Sequence, residues 1–85
     1  MAEKEVGVIT HYFGNISVGI IELSGPLKVG DVIHVQGAHD DFTQTVDSMQ
    51  IEHEAVESAK EGDAIGMKVA EKVHPHDKVF LVVEE

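Results

Sequence analysis

Apolar residues in this chain come in short alternating runs, and none keeps helical spacing for longer than about one turn. Six runs read as strands. From Glu5 to Phe13, Val6, Val8 and Tyr12 fall on one face and Ile9 and Phe13 on the other. Gly14-Asn15 then supplies a two-residue hairpin turn, and Ile16 to Leu23 returns antiparallel. Ser24-Gly25-Pro26 breaks that strand, Leu27 to Asp31 connects, and Val32 to Gln36 is the third. Phe42 to Glu52 is long for one straight strand. Phe42 and Val46 share one parity, Met49 and Ile51 the other, which predicts a bulge or bend near Asp47-Ser48. Glu52 to Glu61, where Val56 and Ala59 are three apart, has room for at most one helical turn. Ala64 to Val69 and Lys78 to Val83 complete the set.

Three strands are announced by a turn ending in Asp: Gly30-Asp31 before Val32-Ile33, Gly62-Asp63 before Ala64-Ile65, and the looser His76-Asp77 before Lys78-Val79. Glycine reaches positive φ without steric cost, and the Asp carboxylate caps backbone N–H groups of the turn. β-Branched residues then prefer the extended pleat. Short strands with regular turn signals suggest an all-β barrel or sandwich, punctuated like a small closed barrel, and closure would remove edges that invite aggregation. The 85 residues make one domain, 1–85, with the barrel core over about 5–83.

Charge narrows the function. Sixteen acidic residues face six basic ones, all lysines, for a net charge of −10. Arginine, the usual bidentate reader of phosphate, is missing, and a strongly anionic domain repels a polyanion. With no Cys, disulfides, thiolate zinc sites and cysteine nucleophiles are excluded together. No run approaches the ~18 apolar residues of a membrane span, and the N-terminus lacks the form of a secretory signal. A cytoplasmic protein that meets no membrane is the default expectation.

Gly25-Pro-Leu-Lys-Val-Gly-Asp-Val-Ile33, Val46-Asp-Ser-Met-Gln50 and the stretch Val56 to Val69 with its Gly62-Asp63 resemble the second domain of translational GTPases such as elongation factor Tu. The resemblance runs from about Val6 to Val83. It implies a six-stranded Greek-key barrel, and it is similar too to small stand-alone elongation-factor-like proteins and to the barrel attached to some collagenase-like peptidases. A glycine-rich loop ending in Lys-Ser or Lys-Thr is absent, so GTP is not expected as a ligand. In elongation factor Tu this barrel helps hold aminoacylated tRNA through basic residues after the elbow and a polar residue after the Gly-Asp. Here Glu52-His53-Glu54 and Ala64 stand at those positions, so the tRNA pocket is not carried over.

Six histidines are many for this length. His39 with Asp40 and Asp41, or His74 with His76 and Asp77, can offer nitrogen and oxygen ligands to a divalent ion, but a structural site needs about four ligands, and the favoured reading is polar loop residues. No metal or other cofactor is expected. No serine stands in a nucleophile-elbow context, and a small filled barrel leaves no large pocket, so the chain reads as a non-enzyme. Candidate partner-binding residues are Phe13 and Asn15 at the first hairpin and His39, Asp40 and Phe42 at the loop before the fourth strand. For Phe13 and Phe42 the favoured reading is as plugs for the barrel ends, ahead of partner anchors. The resemblance favours a non-catalytic translation accessory touching tRNA or the ribosome. The acidity favours a protein partner, and the alternative is an interaction or regulatory subunit for a separately encoded peptidase-like enzyme.

Overall fold

The computed structural model describes residues 2–38, 40–52 and 54–83. None of these residues is helical. Ten strands follow one another: β1 (Ala2–Phe13), β2 (Val18–Leu23), β3 (Leu27–Lys28), β4 (Val32–Gln36), β5 (Asp41–Thr45), β6 (Met49–Ile51), β7 (Glu54–Val56), β8 (Ser58–Ala59), β9 (Ala64–Lys68) and β10 (Lys78–Val83). Eight form one antiparallel sheet in the order β5-β4-β10-β1-β2-β9-β6-β7, and β3 with β8 makes a separate two-stranded ribbon.

All-β architecture is therefore as expected, while the closed six-stranded Greek-key barrel is corrected: the sheet has eight strands and stays open between β5 and β7. The break near Asp47-Ser48 supplies one physical reason. It splits the predicted fourth strand into β5 and β6, and Val46–Ser48 leave the ladder. The phase flip then lets Val46 and Met49, three apart, both reach the core. From the open edge at β5, the Gln44 carboxamide reaches backbone groups at the end of β9. It donates from Nε2 to the Lys68 carbonyl at 3.1 Å and accepts the Ala70 N–H on Oε1 at 2.7 Å.

Two other expectations change. The stretch from Glu52 to Glu61 holds no helical turn among its described residues. Its apolar Val56 pairs with Met49 across a hairpin, and Ala59 pairs with Leu27. The first hairpin closes through the four residues Gly14 to Ser17 rather than two, because Phe13 pairs with Val18. Ile16 N–H bonds the Phe13 carbonyl at 3.3 Å and Ser17 sits at φ 56°, a turn followed by one left-handed residue.

Register shifts explain how β1 feeds the core. One lies between Glu5 and Gly7 against β10, another between Ile9 and His11 against β2. Each is a bulge that resets the side-chain alternation, so Val6 and Ile9 both point inward despite opposite parity. They meet Ile21 of β2, Ile33 and Val35 of β4, Ile65 and Met67 of β9 and Val79 of β10, all fully buried. Burial of each such side chain contributes roughly 1.5–3 kcal/mol. Tyr12 and Phe42 pack against this core from partly exposed positions.

Candidate functional site

The three Asp-ending turns prove to be one device built three times. In each, the Asp N–H donates to the carbonyl of the residue three before it: Asp31 to Lys28 at 3.1 Å, Asp63 to Lys60 at 3.0 Å, Asp77 to His74 at 3.2 Å. In return the Asp Oδ2 accepts that residue's N–H, at 3.0, 3.1 and 3.0 Å in the same order. The residue before each Asp lies at positive φ, Gly30 at 99°, Gly62 at 93° and His76 at 79°, the signature of a type II turn. Each turn also grips a buried aliphatic residue from another element by two backbone bonds. Gly30 N–H and Asp31 carbonyl hold Val46, Gly62 and Asp63 hold Leu23, and His76 and Asp77 hold Ile9, at 2.7–3.0 Å.

The third copy is set apart by its surroundings. Asp77 is buried, only 3% exposed. Its carboxylate lies in space left by Gly37, where an added β-carbon would collide with it. The turn that begins at Gly37, whose N–H donates to the Asp40 carbonyl at 2.7 Å, carries Asp40 to the same place. Asp40 Oδ2 meets His74 Nδ1 at 2.6 Å. One donor atom each from Asp40, His74 and Asp77 lies within 4.8 Å of the others. Burial and the adjoining Asp40 carboxyl push the Asp77 carboxyl above its ordinary value, against the opposing pull of the His74 N–H.

The neighbouring residue makes a second histidine pair. Asp41 bonds His34 Nε2, while His34 Nδ1 meets both Glu3 carboxylate oxygens at 2.9 Å. The hydrogen bonds from Asp41 and then Glu3 raise the His34 pKa, with partial burial acting in the other direction. His34 thus ties β4 to both β5 and the start of β1 across the outer face of Phe80 on β10.

A separate groove runs beside the first hairpin, lined by Phe13, Ile16, Val18 and Ile20 with Gly66 and Ala64, and rimmed by Gln50 and Glu52. Phe13 is 41% and Ile16 57% exposed. The His11 ring meets Phe13 edge-on with centroids 4.4 Å apart. Phe13 does not plug the core, since it stands at the solvent end of β1.

The sequence candidates thus part company. Phe13 borders the groove and Asn15 lies in the adjoining hairpin loop. Asp40 joins His74, and Phe42 packs against the core beside Val35. His39 lies outside the described residues, as does His53. The Asp40–His74 pairing spans 34 residues of chain and had no local sequence signal, whereas Asp77 was visible as a turn-ending aspartate. His34 and Gln44 were not singled out. His34 lies on the outward side of β4 with carboxylates from β1 and β5 around it, whereas Gln44 shares the core-facing side of β5 with Phe42 and reaches backbone groups at the end of β9; both signals appear only once the strand order is known.

No protein-family model matches the chain. An uncharacterized protease of Methanocaldococcus jannaschii is 38% identical over 81 residues, which cover 94% of this chain and 20% of that protein. A collagenase of Porphyromonas gingivalis is 36% identical over 77 residues, 88% of this chain and 21% of its own length. The chain is homologous to one segment of these proteins. It spans about a fifth of the length of these curated relatives. Among solved structures, the C-terminal domain of a Geobacillus thermoleovorans protein assigned to the U32 peptidases shares the fold, with TM-score 0.88 at 16% identity, over 94% of this chain and 93% of that one. Its selenomethionine variant gives TM-score 0.86 over 89% and 96%.

These relatives correct the translation reading. The sequence matches are a protease and a collagenase, not translation factors, so the elongation-factor-like assignment and its tRNA or ribosome role are withdrawn. The residues agree: Glu52 and Ala64, at the positions where the resemblance called for basic and polar groups, are an acid and a methyl that line the groove. What survives of the resemblance is its collagenase-like branch.

Proposed function

We propose that this chain is a non-catalytic accessory module that docks on the peptidase-like region of a collagenase-like protein. One observation carries the reading: the similarity takes in nearly all of this chain and only about a fifth of the proteins it matches. A module of that size accompanies a much larger remainder, and the fold likeness is to a domain isolated from the rest of its own chain. The groove beside Phe13 and Ile16 is the docking face. It offers exposed aromatic and aliphatic surface with a polar rim, the composition of a protein interface, on a chain whose net charge of −10 repels nucleic acid. The interior is filled by aliphatic side chains rather than shaped into a polar cleft, which suits binding over catalysis.

The test mixes the chain with the P. gingivalis collagenase from which the matching segment has been removed, and measures association by calorimetry. Binding is expected, with Phe13→Asp weakening it by about thirtyfold or more, as for an interface anchor. The chain alone is expected to cleave no gelatin. Failure to associate, or association indifferent to Phe13→Asp and Ile16→Asp, removes the docking face, and gelatin cleavage by the chain alone removes the non-catalytic reading.

A further inference from the structure

We propose that Asp40, His74 and Asp77 form a binding site for one divalent transition-metal ion, with Zn²⁺ the best match to the donors. The inference is independent of the docking face, which lies along a different set of strands. Two elements distant in sequence bring the donors together: Asp40 comes from the turn between β4 and β5, and His74 and Asp77 from the turn before β10. One imidazole nitrogen and two carboxylate oxygens suit an ion of borderline hardness, and water completes four-coordination as in open zinc sites.

The site is organised before any ion arrives. Asp77 is held by the His74 N–H on Oδ2 and by the turn itself, and a carboxylate retains further lone pairs for a metal. Gly37 leaves the volume that the Asp77 carboxylate occupies. Two carboxylates and an imidazole stand within 4.8 Å of one another here, one of the carboxylates buried, an arrangement a divalent cation can bridge. His74 Nδ1 already faces Asp40 at 2.6 Å, and its side chain is 42% exposed, so the route from solvent passes beside it. Donors spread over 4.8 Å need only small side-chain rotations to surround an ion at about 2.0–2.2 Å from each.

Metal-stripped chain is titrated with ZnCl₂, MnCl₂ and CaCl₂ at pH 7.5 by calorimetry, with thermal unfolding recorded alongside. One Zn²⁺ per chain is expected, with a raised Tm and weaker binding of Ca²⁺, which prefers more oxygen ligands. Asp40→Asn and His74→Gln, neither buried as deeply as Asp77, each lower Zn²⁺ affinity by at least about tenfold. His11→Gln, an exposed histidine elsewhere, leaves it unchanged. Affinity equal in all variants assigns the binding to scattered surface histidines and overturns the proposal. So does the absence of Zn²⁺ binding. Should a variant unfold, Mn²⁺-induced broadening of amide signals in the native chain decides: broadening centred on residues 37–40 and 74–77 supports the site, and broadening elsewhere removes it.

Discussion

The turn at residues 28–31 and the turn at residues 74–77 make the same hydrogen bonds and differ in what lies around their aspartates. In the first, as in its copy at 60–63, glycine takes the positive-φ position and the Asp is partly solvated. In the last, Pro75 presets the second position and His76 occupies the left-handed region at a backbone cost, while Asp77 is buried against Asp40 and His74. Where the turn only clasps a strand, its residues match the local backbone rules. Where it also carries a polar cluster, one of those rules is broken, as happens where a site competes with local propensity.

The largest expected effect tests whether burial is what separates the copies. Asp77→Ala leaves the His74 N–H without its acceptor and opens a hole in a packed region, and a loss of about 3 kcal/mol is expected in urea unfolding. Asp31→Ala and Asp63→Ala remove the same bond near water and are expected to cost about 1 kcal/mol each. Equal losses at all three would break the distinction. Gly37→Ala comes next, at about 2 kcal/mol, because its new methyl must displace the Asp77 carboxylate. A neutral Gly37→Ala would show that the carboxylate has room to move and that the cluster is loosely held.

Local chemistry made the turns readable and distance hid the cluster. Gly30-Asp31 and Gly62-Asp63 declare themselves because a positive φ and a capping carboxylate are both encoded in two adjacent residues. The parity change from Val46 to Met49 likewise marked the break between β5 and β6. Closure is not legible along the chain, because the edge at β5 meets β9 through a single side chain, Gln44, and no sequence pattern reports such a contact. The short ribbon of β3 with β8 has the same cause: two residues on each side carry too little alternation to read. Asp40 was named from its own neighbourhood, yet its partner His74 follows only from the strand order that places the 37–40 and 74–77 turns together.

A smaller pair of effects compares the third position of the turns directly. Gly62 has open space around it, so Gly62→Ala measures backbone strain alone, and about 1 kcal/mol of destabilisation is expected. His76→Gly runs the exchange in the opposite direction at φ 79° and is expected to stabilise the fold by about 0.5 kcal/mol, the relief of strain being partly offset by the freer unfolded chain. Thermal melts of the two variants should therefore shift with opposite sign. A His76→Gly that destabilises would mean the imidazole makes a contribution larger than the strain it imposes.

The smallest effect separates Asp40 from Asp41, adjacent carboxylates that each hold a histidine. Asp41 and Glu3 raise the His34 pKa above its ordinary value near 6.5, so the folded state holds that proton more tightly than the unfolded chain does. The stabilisation is complete below about pH 6.5 and is lost as pH rises through the raised folded value. The Tm difference between the native chain and His34→Gln should accordingly shrink from pH 6 to pH 8. It should shrink further in high salt, since both carboxylates are substantially exposed, 41% and 68% for their side chains. A difference that stays constant across this range would show that His34 acts by packing on Phe80 rather than by charge. The outer histidine would then be a structural residue and the pairing with Asp41 incidental.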